Sequence, residues 1–515
     1  MKWGRTRPLG RPILAVLAVA LLATSCGARV PAYLGAGPSQ SGGSSGTGAS
    51  AAAVAGVTTT TTPVAAAGGA TGSGAVGSTG GAATPTKGAT GAATQGQAGA
   101  ASLASPSSAG FNFSPQAEDA DCPGSAGNGS SDVGVTPGAI NFGNVSGLTG
   151  PLSGSFPQGP QAVEALFGAV NAAGGICGRK LNLDVEDDQQ NASTNESDVA
   201  DLIPKSLAFV GSVSDADNGG VAEMTQANIP DVGFAINCDR SEEPVYWSPA
   251  GGSCDQPKGP NGPFYVSDAN FIEAKQYGYF PTKMAFLSYS ISISAQAAEQ
   301  YEYVYKQLGG TVCYTDFAVS PASASLESDV ESMQQDGCTG SFNTMDVTGN
   351  AKLLQAMQQQ DYTQSYVAAT FDAYTPAMIA TAGQSAAQGL VVSVPFIPLN
   401  EPQTMVEMYE QQLATYEPGD QPSGFGYLSW IAGQMLIYAL IMSGHDPTRV
   451  SIVKWFDTLV NWTGGGSLGA YTPSSRGSDL SAPGCNIDVE IQGDGFVRKS
   501  PPSGFFCGGQ LVPAS

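Results

Sequence analysis

From Ala139 onward the chain alternates strand-patterned and helix-patterned segments joined by short connections, and this alternation limits the fold more than any other feature. The stretch AINFGNV reads as a strand. Residues 161–173 read as a helix with Val163, Leu166, Phe167 and Val170 on one face. A strand over 180–186, a helix near 196–206, the strand LAFVGSV, a helix over 220–228 and the strand DVGFAIN follow. A second series opens at KMAFLSYSIS. It continues through a helix over 295–308, the strand GTVCYTDFAV, a helix over 323–335, a strand around 341–347 and a helix over 351–359, and ends with the strand SYVAATF, a helix near 376–382 and the strand GLVVSVPF. Parallel neighbours need crossover connections, so this order predicts two Rossmann-like α/β lobes with mainly parallel sheets and helices on both faces. In the turn NAAGGICGRK, Gly174 and Gly175 supply the positive φ that ends the first helix. The apolar run GYLSWIAGQMLIYALIMSG is long enough to span a membrane. It carries Ser429, Trp430, Gln434 and Tyr438 inside an alternating body, so a buried helix is expected.

The first quarter of the 515-residue chain has a different character. Lys2, Arg5, Arg7 and Arg11 precede an apolar run that ends in LATSC, the pattern of a secretory signal over residues 1–25. Ala23, Thr24 and Ser25 before Cys26 are similar to a bacterial lipobox, which makes Cys26 the expected lipid-bearing residue and places the protein on the extracellular side of the cell membrane. Residues 26–130 are mostly Gly, Ala, Ser and Thr, too poor in apolar side chains to offset the entropy of ordering. They are expected to form a disordered tether with an r.m.s. span on the order of 50 Å. The formal charge of −23 gives no basic footprint for nucleic acid.

Nine cysteines include Cys26, and an even set remains: Cys122, Cys177, Cys238, Cys254, Cys313, Cys338, Cys485 and Cys507. In an exported chain these are expected to form disulfides, and nearest-neighbour pairing is preferred among the alternatives. His445 is the single histidine, which leaves a hydrolytic triad or a His-ligated metal site little to work with; it is read as an exposed turn residue. GGSSG at 42–46 satisfies a nucleophile-elbow pattern but lacks the strand and helix that give the pattern meaning. The acids Glu186, Asp187 and Asp188 read as helix-capping groups in preference to an acid/base pair. Neither an enzyme nor a cofactor or metal site is expected.

Ligands of open α/β sheets bind beyond the C-terminal strand ends, and the loops there are SGLTGPLSGSFPQG, GSVSDADNGG and NCDRSEE. Their small residues and hydroxyls offer donors to a polar ligand, although each loop alone reads equally well as a turn or cap. Taken together, VSGLTGPLSGSFPQGPQAVEALFGAVNAAGGICGRKLNLDVEDDQ and LAFVGSVSDADNGGVAEMTQANIPDVGF resemble the first lobe of the type I periplasmic solute-binding proteins, in the branched-chain amino-acid-binding branch. MAFLSYSI, AAQGLVVSVPF and the later apolar helix follow in that family's order.

The resemblance implies two lobes joined by a three-crossing hinge, with a ligand clamped between them. Lobe 1 would span residues 131–280 and lobe 2 residues 281–395; the chain would return to lobe 1 over 396–485 and send a tail, 486–515, toward lobe 2 and the hinge. It further implies that Phe156 flanks the ligand, and that Ser214 or Asp215, with Asn237 and Asp239, completes a carboxylate subsite. Asp372 would hold an ammonium group from the opposite lobe, and Thr348 and Tyr427 are counted with the site. Ile293 and Thr348 stand where amino-acid binders present tyrosines, and the insertion VYWSPAGGSCDQPKG brings Trp247 near the cleft mouth, so an amine-bearing or hydroxyl-rich ligand fits at least as well as a branched-chain amino acid. The expected partners are a small polar ligand, the permease subunits of an ABC importer and the membrane, reached through the anchor at Cys26, with the chain a monomer. A ligand-sensing receptor without a transport role would share the same cleft.

Overall fold

The structure is a computed structural model that describes residues 126–150, 152, 156, 158–241, 243–250, 264–267, 269–470, 485–507 and 511–514. The expected signal, Cys26, most of the tether, Cys122 and Cys254 lie outside the described residues, as does the side chain of Cys238.

The first sheet is wholly parallel. It comprises β1 (Ala139–Ser146), β2 (Lys180–Asp187), β3 (Phe209–Val210), β4 (Asp231–Val232) and β5 (Tyr246–Trp247), in the order β2-β1-β3-β4-β5. Helices Gly159–Ala172, Ala192–Leu202 and Val221–Ala227 make the crossovers. The turn between the first helix and β2 follows its sequence: Gly174 and Gly175 have φ of 114° and 78°, and a Cβ on Gly175 would lie 1.9 Å from the Arg179 carbonyl oxygen. Buried Arg179 ties this turn to the start of the body by donating to the carbonyls of Thr136 (2.8 Å) and Gly129 (2.9 Å).

Two expected strands are much shorter than their apolar runs. LAFVGSV keeps only Phe209–Val210 as strand. Gly211 turns at φ 66°, where a side chain would strike Val163 and Ser429 of the covering helices, so the chain bends into a loop just where the helices approach. DVGFAIN likewise keeps only Asp231–Val232, and the remainder forms loop. Trp247 corrects a further expectation. It lies in the fifth strand, fully buried against Phe456 with ring centroids 5.1 Å apart, and not over a ligand.

After β5 the chain passes through β6 (Phe264–Ser267) into a second sheet. Its parallel strands are β7 (Lys283–Tyr289), β8 (Thr311–Val319), β9 (Gly340–Asn343), β10 (Tyr366–Ala369) and β11 (Leu390–Val394). Helices Thr404–Tyr416 and Gly424–Ser443 then pack on the first sheet's helix Gly159–Ala172, and the chain returns as an antiparallel hairpin, β12 (Ile487–Gln492) and β13 (Gly495–Ser500), on the edge of the second sheet. The second order is β13-β12-β11-β10-β9-β7-β8, and β14 (Leu511–Ala514) pairs with β6. The chain thus passes between the two sheets three times. Helix Gly424–Ser443 is buried by the protein itself from Gly424 to Ile437, as a core helix requires.

Disulfides join Cys313 to Cys338 and Cys485 to Cys507, two of the four nearest-neighbour pairs, and Cys177 is also disulfide-bonded. The Cys313–Cys338 bridge ties β8 to the segment after helix Glu327–Gln335 across a sequence separation of 25. Replacing both residues by serine is expected to cost about 3 kcal/mol by loop entropy, read as a lower urea midpoint with little change in ligand affinity. His445 is half-buried instead of exposed; its Nδ1 lies 2.7 Å from Asn128 Oδ1 and helps pin the start of the body.

Candidate interlobe ligand site

The C-terminal ends of the two sheets meet around four phenylalanines drawn from separate segments. Phe156 follows β1, Phe234 follows β4, Phe425 opens the helix Gly424–Ser443, and Phe371 comes from the second lobe after β10. Phe371 packs on Phe425 with centroids 4.4 Å apart and on Phe234 at 4.9 Å; Phe156 meets Phe425 edge-on at 4.9 Å. These contacts form an aromatic seam between the lobes, with Phe371 as the second lobe's contribution.

Acids flank the seam. Asp215 lies in the loop after β3 and Asp372 is the residue after Phe371, in a single 3-10 turn, Phe371–Ala373. Burial pushes the Asp215 carboxyl up to about 7, reinforced by the charges of Asp217, Asp372, Asp188 and Asp346. Asp372 is also pushed up to about 7, first by burial and then by Asp346, against the lowering effect of the Thr370 hydroxyl. Asp215 Oδ2 is buried without a hydrogen-bond partner. In the second lobe, Asp346 caps helix Val347–Gln359, accepting from the Gly349 amide at 2.8 Å and from the Tyr289 hydroxyl at 2.5 Å. Ser294, in the first turn of helix Ser292–Gln307, is locked to Thr344 just after β9, with Ser294 Oγ donating to the Thr344 carbonyl (2.7 Å) and Thr344 Oγ1 donating to the Ser294 carbonyl (2.8 Å).

The other expected site residues divide between scaffold and surface. Ser214 is buried, and its Oγ accepts from the Ala216 amide at 3.0 Å, closing a tight turn. Asn237 donates from Nδ2 to the Asp215 carbonyl and to Asp217 Oδ1, both at 2.8 Å, so its donors hold the loop. Asp239 and Thr348 are exposed, the latter in the first turn of a helix that starts four residues earlier than expected. Tyr427 is fully buried, its hydroxyl 2.6 Å from Ser467 Oγ and its ring among Tyr409, Trp430 and Phe396. Asp187 and Asp188 brace the loops after β1 and β2, while the helix cap expected of them is supplied by Asn191, which accepts from the Ser193 and Thr194 amides. Asp187 accepts from the Leu148 and Thr149 amides, and buried Asp188 accepts from the Gln190 amide and from Asn195 Nδ2.

Phe234, Phe371, Phe425 and Asp346 carry no spacing signal that separates them from core or cap residues. The adjacency of Phe371 to Asp372 is the one local hint.

Raised carboxyl groups have a defined effect on stability. A carboxylate whose folded pKa lies above its unfolded value binds more protons when folded, so it contributes stability that is full below the unfolded pKa and is lost as pH rises through the folded pKa. Asp215 and Asp372 act in this sense up to about pH 7. Buried Glu243, with both carboxylate oxygens unpartnered, extends it to about pH 9. The ligand-free protein is therefore expected to melt several degrees lower at about pH 8 than at about pH 5. A flat profile in differential scanning calorimetry would contradict it.

Comparison with known proteins agrees with this architecture. No curated protein sequence matches the chain. Among solved structures, the chain is similar to a fatty acid ABC transporter substrate-binding protein from Thermomonospora curvata (17% identity, TM-score 0.60, covering 75% of this chain and 96% of that one). It is also similar to a branched chain amino acid ABC transporter protein from Thermus thermophilus with bound valine (16% identity, TM-score 0.58, 71% and 97%). A third match is the branched-chain amino acid transporter substrate-binding protein of Streptococcus pneumoniae in complex with isoleucine (12% identity, TM-score 0.57, 73% and 99%). These likenesses show a shared fold. The sequence family described as periplasmic binding protein matches residues 139–478, well over half of the chain and both sheets apart from the terminal hairpin, so this protein belongs to the periplasmic binding protein family, with the type I architecture of two α/β lobes and three crossings.

Proposed function

We propose that this protein is an extracellular solute-binding lipoprotein. Anchored through Cys26 and extended on its tether, it captures a small polar ligand, an amino acid or an amine- or amide-type compound, between its lobes and delivers it to the permease subunits of an ABC importer. The supporting observation is the aromatic seam between the lobes together with two half-buried acids at the strand ends, Asp215 with its Oδ2 unpartnered and Asp372 beside Phe371: a carboxylate taken out of water is costly unless a proton or a cationic partner answers it. Two proteins of the same fold carry isoleucine and valine, which agrees with a small-molecule ligand. Closure over the ligand excludes water and strengthens each polar contact, and the closed form is the one a permease would recognise. No covalent step is required.

The reading is tested by a thermal-shift panel on the full chain with amino acids, amines, amides, sugars and small carboxylates. A ligand present at about a hundred times its Kd adds about 2.7 kcal/mol to the folded state. A shift from one chemical class supports capture, whereas none from any class would favour a protein partner over a solute.

A further inference from the structure

The three segments that cross between the lobes meet the second lobe side by side, and one side chain touches all of them. Asn270, in the first turn of helix Ala269–Gln276 just after β6, accepts at Oδ1 from Ser393 Oγ near the end of β11 (3.1 Å) and from Asn486 Nδ2 just before β12 (2.5 Å). Ser393 pairs with Asp488 across β11 and β12, and Asp488 with Ser500 across β12 and β13.

The helix and the hairpin also share a row of four oxygens. Ser500 Oγ lies 2.6 Å from Glu273 Oε1 and 2.5 Å from the Tyr279 hydroxyl, which lies 2.7 Å from Asp488 Oδ2. Glu273, Asp488 and Ser500 are fully buried. Each of these contacts is of hydrogen-bond length between two oxygens and so needs one hydrogen. The two hydroxyls bring two. The third must belong to a carboxyl group, Glu273 at one end of the row or Asp488 at the other. The cations nearby are engaged elsewhere: Lys499, 5.0 Å from the Tyr279 ring centre, bonds Glu490 at 2.8 Å, and Arg498 is forked onto Glu401. Tyr366 of β10 stacks on Tyr279 with ring centroids 6.0 Å apart, and burial keeps its hydroxyl neutral. Glu273 Oε2 and Asp488 Oδ1 are buried without hydrogen-bond partners, so a second negative charge here would go unanswered.

We propose that Glu273 and Asp488 share one proton that latches the base of the hinge. While it is held, the row is complete and helix Ala269–Gln276 and the β12–β13 hairpin move as one body, which fixes where the first and third crossings enter the second lobe. When it leaves to solvent, the pair passes from one negative charge to two, one contact in the row loses its hydrogen, and the hairpin loosens from the helix. Burial raises both carboxyls. The charge of Asp488 raises Glu273 further, against Ser500 and Arg498, while the Tyr279 and Ser393 hydroxyls and Lys499 hold Asp488 down. Carboxyls with a raised folded pKa stabilise fully below their unfolded value and lose that contribution as pH rises through the folded one, here between about pH 6 and about pH 8. The latch belongs to the hinge and is the same for any ligand.

The test is hydrogen–deuterium exchange of the full chain, read by mass spectrometry at about pH 6 and about pH 8 and corrected for the intrinsic rate. Protection of residues 269–276 and 487–500 is expected to fall at least about tenfold between the two, relative to β1 and β2. Glu273→Gln puts a fixed amide donor at one end of the row, donating to Ser500 as the protonated acid does, and should hold protection at both pH values. Asp488→Asn does the same from the other end by donating to Tyr279. Tyr279→Phe breaks the row and should lower protection at about pH 6 as well. Protection held by either amide variant supports the latch. A fall equal to wild type in both, or no fall in wild type, overturns it. Failure of both amide variants to fold at about pH 6 also overturns it, since an amide would then not replace the acid. Protection restored at about pH 8 by added sodium or calcium ions would put a bound cation in the proton's place and overturn it too.

Discussion

Replacing Asp372 by alanine is expected to weaken ligand binding by about a hundredfold or more while leaving the fold intact. The side chain stands in a single turn between Phe371, which reaches across to Phe234 and Phe425, and buried Ala373, so truncation removes charge without removing the packing that positions the turn. Losing one partner of a desolvated charge pair costs about 2–5 kcal/mol, most of it from the group left unpaired. The empty protein should behave in the opposite way. Burial pushes the Asp372 carboxyl up to about 7, so at about pH 8 its ionised form costs the empty fold stability, and its removal leaves the melting temperature unchanged or raises it. Calorimetric titration of wild type and variant with a compound found by thermal shift decides the point. Equal affinities would remove Asp372 from the binding site.

Replacing Arg240 by methionine is expected to destabilise the first lobe by about 3–5 kcal/mol. The guanidinium is buried and grips buried Asp231 with two bonds, Nε at 2.8 Å and Nη2 at 2.9 Å, while Nη1 donates to the Ser212 carbonyl at 3.0 Å and to Asp217 at 3.3 Å. Asp217 in turn accepts from the Ile236 and Asn237 amides at 2.7 and 2.9 Å and so shapes the loop after β4. Methionine would leave two carboxylates buried without a cation. Lysine restores the charge but not the fork and should recover only part of the loss. Urea unfolding followed by circular dichroism measures the difference. A midpoint within error of wild type for the methionine variant would show that the cluster is relaxed by water or by a compensating shift.

The strand–helix order, the two mainly parallel sheets and the buried character of the apolar helix were legible in the residues, because apolar periodicity and crossover requirements are local in sequence. So were the Gly174–Gly175 turn and two of the disulfides. The shortening of the third and fourth strands was not legible. Val213 and Phe234 carry the same apolar signal whether they extend a sheet or line a loop, and only the covering helices at Gly211 show where the strand stops. Trp247 was misplaced for a related reason: a two-residue strand offers no alternation to read.

At the site, the candidate acids Asp215 and Asp372 could be named from the sequence through family order. The effect of Asp372 on Asp215, the use of Asn237 as a brace and the four-phenylalanine seam could not. By itself the sequence determined which elements form and in what order, since those depend on side-chain patterns within a few turns. Only the tertiary structure decided which acids share one low-dielectric space, because that depends on loops far apart in the chain being brought to the same edge of two sheets.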